Sequence, residues 1–133
     1  MKTKQQFQTL DYFQKNAKKW STNSEFKRNK ILNTIHERNL FVLKIIKKFK
    51  LKKHLDVGCG TGDLCFASSK ITNLSVGIDF SKSMIDIGNK KFSKKNLKLI
   101  CQSIFDYKEK IIFDAISANG FIEYLSLKQI KEF

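Results

Sequence analysis

Proline is absent from this sequence of 133 residues, and its six glycines all lie at or after position 58. No linker rich in either residue divides the chain, and its length suits one domain, so we expect it to fold around a single core. Its apolar runs last only a few residues, far short of the roughly 20 that cross a bilayer. The basic amino end, which no apolar segment follows, excludes a secretory signal and predicts a cytoplasmic location.

Cysteine and histidine are scarce. The three cysteines, Cys59, Cys65 and Cys101, form no C-x-x-C pair, and an odd number in a chain without an export signal argues against a disulfide framework. We expect them to be reduced, partly buried and apolar in character. The two histidines, His36 and His54, stand apart from each other and from the cysteines, so the sequence predicts no metal site.

Acidic residues are few as well: 12 against 26 basic ones, which leaves a formal net charge of +14. Of the basic residues 24 are lysine, and the residue types written with A/T-rich codons (Lys, Ile, Phe, Asn and Tyr) supply 63 positions. Genomic base composition therefore explains the charge without a polyanion partner. A specific nucleic-acid reader is expected to favour arginine, whose planar group grips phosphate and guanine at two points. A nucleic-acid partner is not favoured.

The first 50 residues predict a helical arm. Residues 1–23 are polar with spaced aromatic residues, which either pack in the core, as we favour, or lay their rings on another surface: Phe7, Tyr12, Phe13 and Trp20. From about Ser24 to Lys50, apolar residues recur at helical spacing with lysines between them. This pattern predicts a long amphipathic helix that can break near Asn39.

From residue 51 onward, strands alternate with helices. Strands are predicted at 55–57, 74–79, 97–102 and 111–117, with a helix at 63–69 and another that Ser81 caps. Ser126 and Gln129 form a capping box that opens a last helix at Leu127. The alternation predicts an α/β fold with a Rossmann-like, doubly wound, mainly parallel sheet behind the helical arm.

The chemistry of the sequence is concentrated in one turn. Gly58, Gly60 and Gly62 directly follow the first strand, and glycine lets a backbone turn tightly and lets a ligand approach the bare main chain. Asp79 ends the next strand, at the place where nucleotide-binding folds keep the acid that accepts hydrogen bonds from ribose hydroxyls.

The spacing of the turn separates two kinds of ligand. A dinucleotide fingerprint, G-x-G-x-x-G, has its third glycine where this chain has Asp63, whereas here the pattern is G-x-G-x-G with Asp56 two residues before it. An acid beside the turn repels a pyrophosphate but suits the ammonium group of an amino acid. The sequence therefore favours a ligand with an adenosine half and an amino-acid half.

At these residues the chain resembles the class I S-adenosylmethionine-dependent methyltransferases, particularly the methyltransferase type 11/25 and ubiquinone-biosynthesis-like group. Residues 55–64 are similar to the first motif of that family, 77–85 to the second, and 113–125 to the fourth strand and its loop. The resemblance covers roughly residues 40–133. It implies methyl transfer from S-adenosylmethionine to an unidentified, small-molecule acceptor. It also implies a helical arm or cap at 1–50 and a partial methyltransferase domain at 51–133.

The resemblance assigns the amino-acid half of the cofactor to the turn. It implies that Gly58, Gly60 and the backbone of Cys59 line the methionine portion, and that Gly62 also belongs to the cofactor-binding residues. Asp56 is expected beside the ammonium group.

For the adenosine half, the resemblance implies that Asp79 holds the ribose and that Phe80 covers one face of the adenine. Where the family often has an acid for the adenine amino group, this chain has Ser103, whose hydroxyl is expected to contact the ring together with the N–H of Ile104. Two residues at the end of the fourth strand are expected to face the methyl donor and the acceptor: Ala118 and Asn119.

No general base can be named from the sequence. His36 and His54 are candidates by residue type alone, and we expect both to face solvent, away from the carboxyl ends of the strands.

The family's sheet has seven strands, and four can be placed here. We therefore expect a domain truncated after strand four, or one that another protein chain completes. Strand four is then an exposed edge that favours unwanted pairing and aggregation. Two alternative functions remain: a non-catalytic S-adenosylmethionine-binding or scaffold fragment, and an RNA methyltransferase or nucleic-acid binder that uses the lysine-rich surface.

Overall fold

The computed structural model describes residues 4–24 and 34–133. Five α-helices lie in these ranges: α1 Lys4–Ser24, α2 Thr34–Lys48, α3 Asp63–Ser68, α4 Lys82–Lys91 and α5 Leu127–Glu132. Four strands accompany them: β1 Lys53–Val57, β2 Leu74–Asp79, β3 Leu97–Cys101 and β4 Ala115–Ser117. Single 3₁₀ turns at Ile104–Asp106 and Ile122–Tyr124 follow β3 and β4.

The four strands form one parallel sheet in the order β3-β2-β1-β4. This sheet and its flanking helices confirm the predicted α/β, Rossmann-like fold and the helical arm. The chain runs outward from β1 through β2 to β3 and then returns to place β4 on the other side of β1. Between β1 and β4 the order therefore reverses, and in such sheets ligands bind at the carboxyl ends of the strands beside this reversal.

One face of the sheet carries the apolar core. Leu55 and Val57 of β1 and Val76 and Ile78 of β2 are each at most 5% exposed. Partly buried side chains pack against this cluster: Leu74, Ile100, Ile104, Tyr107, Phe113, Ala118 and Phe121. The core thus joins the strands to the segments that follow β3 and β4, which fixes those segments at the carboxyl ends of the strands.

The helix boundaries match the capping signals. Ser81 caps α4 by accepting a hydrogen bond from the backbone N–H of Met84, and Ser126 and Gln129 form the predicted capping box of α5. The predicted break near Asn39 is wrong, because α2 runs through that residue without interruption. Residues 25–33 of the predicted amphipathic helix lie outside the described residues.

Strand β4 is shorter than predicted, because it begins only at Ala115, directly after Asp114. One carboxylate oxygen of Asp114 accepts hydrogen bonds from the backbone N–H groups of Lys52 and Lys53, both at 2.9 Å. The backbone N–H of Asp114 also donates to the carbonyl of Lys53 at 2.9 Å, so both the side chain and the main chain of this residue tie the start of β4 to β1. Among the described strands, β4 lies at an edge of the sheet, and Ile112 and Ile116 near it are 82% and 65% exposed.

None of the described helices combines the length and the apolar character that a membrane crossing requires.

Candidate functional site

A cavity of about 790 Å³, part of it open to solvent, lies at the carboxyl ends of the strands. We call it the first cavity. The ends of β1 and β2 and the segments after β3 and β4 form its walls, and α1 covers it with Phe13 and Trp20.

The glycine turn forms one wall of this cavity. Gly58 and Gly60 have φ angles of +71° and +56°, in the left-handed region that favours glycine. A Cβ atom on Gly60 would lie 2.8 Å from Nε1 of Trp20. The missing side chain therefore lets α1 close over the turn and leaves its main chain accessible from the cavity.

Asp79 ties the end of β2 to the turn. Its Oδ2 accepts a hydrogen bond from the N–H of Gly60 at 2.9 Å, and its Oδ1 accepts one from the N–H of Ser81 at 2.8 Å. Burial raises the pKa of Asp79 to about 6, although both hydrogen bonds act in the opposite direction. Each carboxylate oxygen keeps a further lone pair, so Asp79 can still accept hydrogen bonds from a ligand in the first cavity.

A second cavity adjoins the first and is more polar in its chemistry. The two share Trp20, Gly58, Asn119, Gly120 and Tyr124. Four further residues with ionisable side chains line only the second: Arg38, Asp56, Cys59 and Glu123. The two carboxylates of the sequence motif thus line adjoining cavities that meet at Gly58.

Asp56 is 4% exposed and belongs to β1. Its Oδ1 accepts a hydrogen bond from the hydroxyl of Ser117 at 2.6 Å. Burial raises the pKa of Asp56 to about 7; the Ser117 hydrogen bond lowers it, and the charge of Asp79 raises it further. An ammonium group bound in the second cavity would favour the ionised form of this carboxyl.

The structure brings most of the sequence-predicted site residues to these cavities. The first cavity is lined by Gly58, Gly60, Asp79, Phe80, Ser103, Ile104 and Asn119, and the second by Asp56, Gly58, Cys59 and Asn119. Gly62 and Ala118 line neither. Gly62 directly precedes α3, with φ +79°, and lies beside Leu99, whereas Ala118 packs against the apolar core.

The expectation that the two histidines face solvent is wrong. His36 is 2% exposed and His54 is 0% exposed. The ring of His54 lies between the hydroxyls of Ser68 and Ser117, at 2.9 Å and 2.8 Å. Burial lowers the pKa of His54 to about 4. These partners are far away in sequence, so local pattern could not show them.

The cysteines are partly as expected. All three thiols are free; Cys65 is buried and Cys59 is partly buried, but Cys101 is exposed, contrary to the prediction. The hydrogen bond with the neighbouring Cys65 thiol, together with burial, raises the pKa of Cys59, so it is a poor nucleophile. Within the described ranges, no three potential metal ligands lie together.

The sequence analysis singled out the aromatic residues of α1 but assigned no site role to any residue of α1 or α2. Phe13 and Trp20 of α1 stack edge to face at 5.5 Å, and Phe13 contacts Tyr124 in the same way at 5.4 Å. Their spacing of seven residues, which places both on one helical face, was the available signal. Arg38 of α2 offered no such signal, because a single arginine on a lysine-rich helix is ordinary.

A comparison with protein families matches residues 55–133 to the methyltransferase domain model. Among curated proteins, uncharacterized protein RP028 of Rickettsia prowazekii is 38% identical over 86 residues, which cover 60% of this chain and 34% of that protein. Demethylmenaquinone methyltransferase of Lactobacillus johnsonii is 41% identical over 61 residues, which cover 41% of this chain and 25% of that protein. The chain thus spans between a quarter and a third of the length of these relatives.

Solved structures show the same fold. The methyltransferase domain of bacterial CtHen1 is 25% identical with a TM-score of 0.64, and the match covers 74% of this chain and 56% of that one. Magnesium protoporphyrin IX methyltransferase from Synechocystis with bound S-adenosylmethionine is 14% identical with a TM-score of 0.70, covering 96% and 67%. The structure of DhpI with S-adenosylhomocysteine is 15% identical with a TM-score of 0.71, covering 92% and 57%.

Proposed function

Because the chain belongs to the methyltransferase domain family of the class I S-adenosylmethionine-dependent methyltransferases, we propose that it binds S-adenosylmethionine across both cavities. We further propose that it serves methyl transfer to a small-molecule acceptor. The observation that carries the proposal is the bare turn at Gly58 and Gly60 with one carboxylate in each adjoining cavity. Two relatives, 41% and 44% identical, are named demethylmenaquinone methyltransferases, and demethylmenaquinone is an acceptor of the proposed class. The narrower ubiquinone-like grouping stays a prediction.

The shape and the charges of the cavities suit this cofactor. The first cavity offers Asp79 for the ribose hydroxyls, Phe80 for the adenine face, and Ser103 beside it. Ser103 already accepts a hydrogen bond from the N–H of Phe105 at 3.3 Å, so its own hydrogen remains for a ring nitrogen.

The second cavity suits the amino-acid end. We assign the ammonium group to Asp56, which lines this cavity. Among the described residues that line this cavity, Arg38 is the one permanent cation, and its guanidinium is a two-point partner for a carboxylate. Asn119 donates to Oδ1 of Asn39 at 3.3 Å, which ties the end of β4 to the helix that carries Arg38.

The chain's part in the reaction is positioning. When bound, S-adenosylmethionine supplies a methyl group on a positively charged sulfur, and this sulfur is a leaving group that needs no acid catalysis. The turn and Asp79 fix one end of such a ligand and the second cavity fixes the other, which orients its centre near Asn119, a residue common to both walls. Orientation of this kind replaces a bimolecular encounter with an aligned one. Both histidines are buried, so neither is placed to accept a proton from an acceptor.

Titration with S-adenosylhomocysteine tests the proposal. We expect saturable binding by calorimetry and a change in fluorescence, since the chain's single tryptophan, Trp20, lines both cavities. Asp79→Ala should weaken binding by about 10- to 100-fold, because hydrogen bonds to a charged group contribute roughly 1.5–3 kcal/mol. Asp86→Ala is the matched control. It removes an exposed aspartate of α4 that pairs with Lys82 at 2.7 Å, and it should leave affinity unchanged.

The other outcomes separate the alternatives. If the wild-type protein does not bind S-adenosylhomocysteine, the proposed function is wrong. Binding without methyl transfer to any small-molecule fraction supports a scaffold fragment instead. Affinity for RNA that falls steeply with salt supports a nucleic-acid partner, because each phosphate contact releases counterions.

Arg38 provides a test of the amino-acid end. Arg38→Ala should weaken S-adenosylhomocysteine binding by about tenfold, the loss of one charge-assisted contact. It should leave binding of 5′-methylthioadenosine unchanged, because that nucleoside lacks the amino-acid portion. Arg38→Lys should recover only part of the affinity, since lysine keeps the charge but not the planar fork. Equal weakening of both ligands in calorimetry would contradict this placement.

A further inference from the structure

The sheet face that packs against α3 carries buried polar side chains. His54 and Asp56 alternate with the apolar core residues of β1, and the strand register sets Ser75 beside His54 and Ser117 beside Asp56. All four are at most 8% exposed. Strands of parallel sheets that are covered on both faces are usually apolar on both. A polar cluster at this place must therefore be satisfied internally.

These groups form one continuous chain of hydrogen bonds. Oδ1 of Asp56 lies 2.6 Å from Oγ of Ser117, which lies 2.8 Å from Nε2 of His54. Nδ1 of His54 lies 2.9 Å from Oγ of Ser68, which lies 2.6 Å from Oγ of Ser75. The chain, which we call the Asp56 relay, joins β1, β4, α3 and β2 and ends at the carboxylate that lines the second cavity.

Each hydroxyl has one hydrogen, so the relay has two ordered states. When Asp56 is ionised, Ser117 donates to it and must accept from an Nε2–H of His54, while Ser68 donates to Nδ1. When Asp56 carries a proton directed at Ser117, the order reverses. Ser117 then donates to Nε2, Nδ1 carries the hydrogen, and Ser68 donates onward to Ser75 or to the carbonyl of Cys65, 3.1 Å away.

We propose that Ser117 and His54 are positioning residues for Asp56, and that an ammonium ligand in the second cavity selects the relay state with the Nε2–H tautomer of His54. This rests on the proposed function only for the identity of the ligand. The relay holds Oδ1, whereas Oδ2 has one long contact among the described residues, 3.9 Å from the Cys65 thiol. Oδ2 is therefore the oxygen left for the ligand.

The ionisation properties of the relay agree with this assignment. Burial lowers the pKa of His54 to about 4, so its ring is neutral near pH 7 and the two tautomers are its available states. The pKa of Asp56 is about 7, so its proton is gained and lost in the same range. Ionisable groups that face Asp56 come from several elements: Asp79, Cys59, Cys65, Arg38 and Glu123.

Nitrogen-15 NMR of the imidazole rings tests the relay in the wild-type protein. The chain has only two histidines, so a His36→Gln variant assigns the signals. Without ligand, we expect His54 to change from the Nδ1–H tautomer at pH 6 to the Nε2–H tautomer at pH 8. Saturating S-adenosylhomocysteine should hold the Nε2–H tautomer at pH 6.5. A single tautomer at every pH, with and without ligand, overturns the proposal.

Variants separate positioning from mere packing. Ser117→Ala should abolish the change of tautomer with pH. It should also weaken the binding of S-adenosylhomocysteine by about tenfold, because one hydrogen bond to a charged group is lost. Ser117→Thr, which keeps the hydroxyl, should restore the change. Ser69→Ala is the control, because this buried serine donates to the carbonyl of Phe66 outside the relay. If S-adenosylhomocysteine binds and the tautomer of His54 changes with pH but not on binding, the ligand coupling is overturned. If S-adenosylhomocysteine does not bind, only the proposed function is contradicted.

Discussion

Replacing Gly88 with alanine should lower the free energy of unfolding by about 2 kcal/mol, the cost of overpacking a filled interior. In an exposed helix the same change stabilises by up to about 1 kcal/mol, because alanine is the better helix former. Here the sign reverses. A Cβ atom on Gly88 would lie 2.5 Å from the carbonyl oxygen of Thr61 and 2.7 Å from Cδ1 of Leu99. Thr61 belongs to the glycine turn, so its backbone would have to move.

Thermal melts measure this effect, and we expect the midpoint to fall by about 8 °C for a domain of this size. Asn89→Ala is the matched control, since Asn89 is the next residue of the same helix and is exposed. It should change stability by less than about 0.5 kcal/mol. Because Gly88 supports the turn, Gly88→Ala should also weaken the binding of S-adenosylhomocysteine. A Gly88→Ala protein that melts at or above the wild-type temperature contradicts the packing of α4 on the turn.

Local sequence predicted the parts of the fold whose causes are local. Strand β2 has the predicted bounds 74–79, and Ser81 and Ser126 cap the predicted helices. Gly58 and Gly60 form the predicted turn, and both have positive φ angles. Each of these features depends on a short stretch of residues, where the backbone preferences and capping chemistry of the residues decide the outcome.

The parts that sequence could not show depend on contacts between distant residues. His54 is buried because Ser117, 63 positions away, supplies a partner for its ring. The start of β4 is fixed to β1 because Asp114 binds the backbone 61 and 62 positions earlier. Arg38 reaches the second cavity because α2 packs beside α3 and the segment after β4. None of these pairings leaves a periodic or spaced signal.

Asp56→Asn should separate stability from ligand binding. Burial raises the pKa of Asp56 from 3.8 to about 7. Between these values the folded protein holds a proton that the unfolded chain releases, so this carboxyl makes the protein less stable as pH rises from about 4 to 7. Asparagine keeps the acceptor for Ser117 and removes the titration. We therefore expect the variant to be more stable than wild type at pH 8, by about 2–4 kcal/mol at 1.36 kcal/mol for each unit of pKa difference.

Denaturant unfolding at pH 4.5 and pH 8 measures this difference. At pH 4.5 the wild-type carboxyl is largely protonated, and the two proteins should agree to within about 1 kcal/mol. His54 contributes in the opposite sense, because its lowered pKa adds stability as pH rises through about 4 to 6.5. It does so in both proteins, so the comparison isolates Asp56.

The same variant should lose about 10- to 100-fold in affinity for S-adenosylhomocysteine, since a neutral amide cannot pair with an ammonium group. A variant less stable than wild type at pH 8 would show that the Asp56 charge is stabilised rather than strained. The expected gain in stability at pH 8 instead means that the ligand-free protein tolerates an unfavourable buried charge, which the positive end of a ligand relieves on binding.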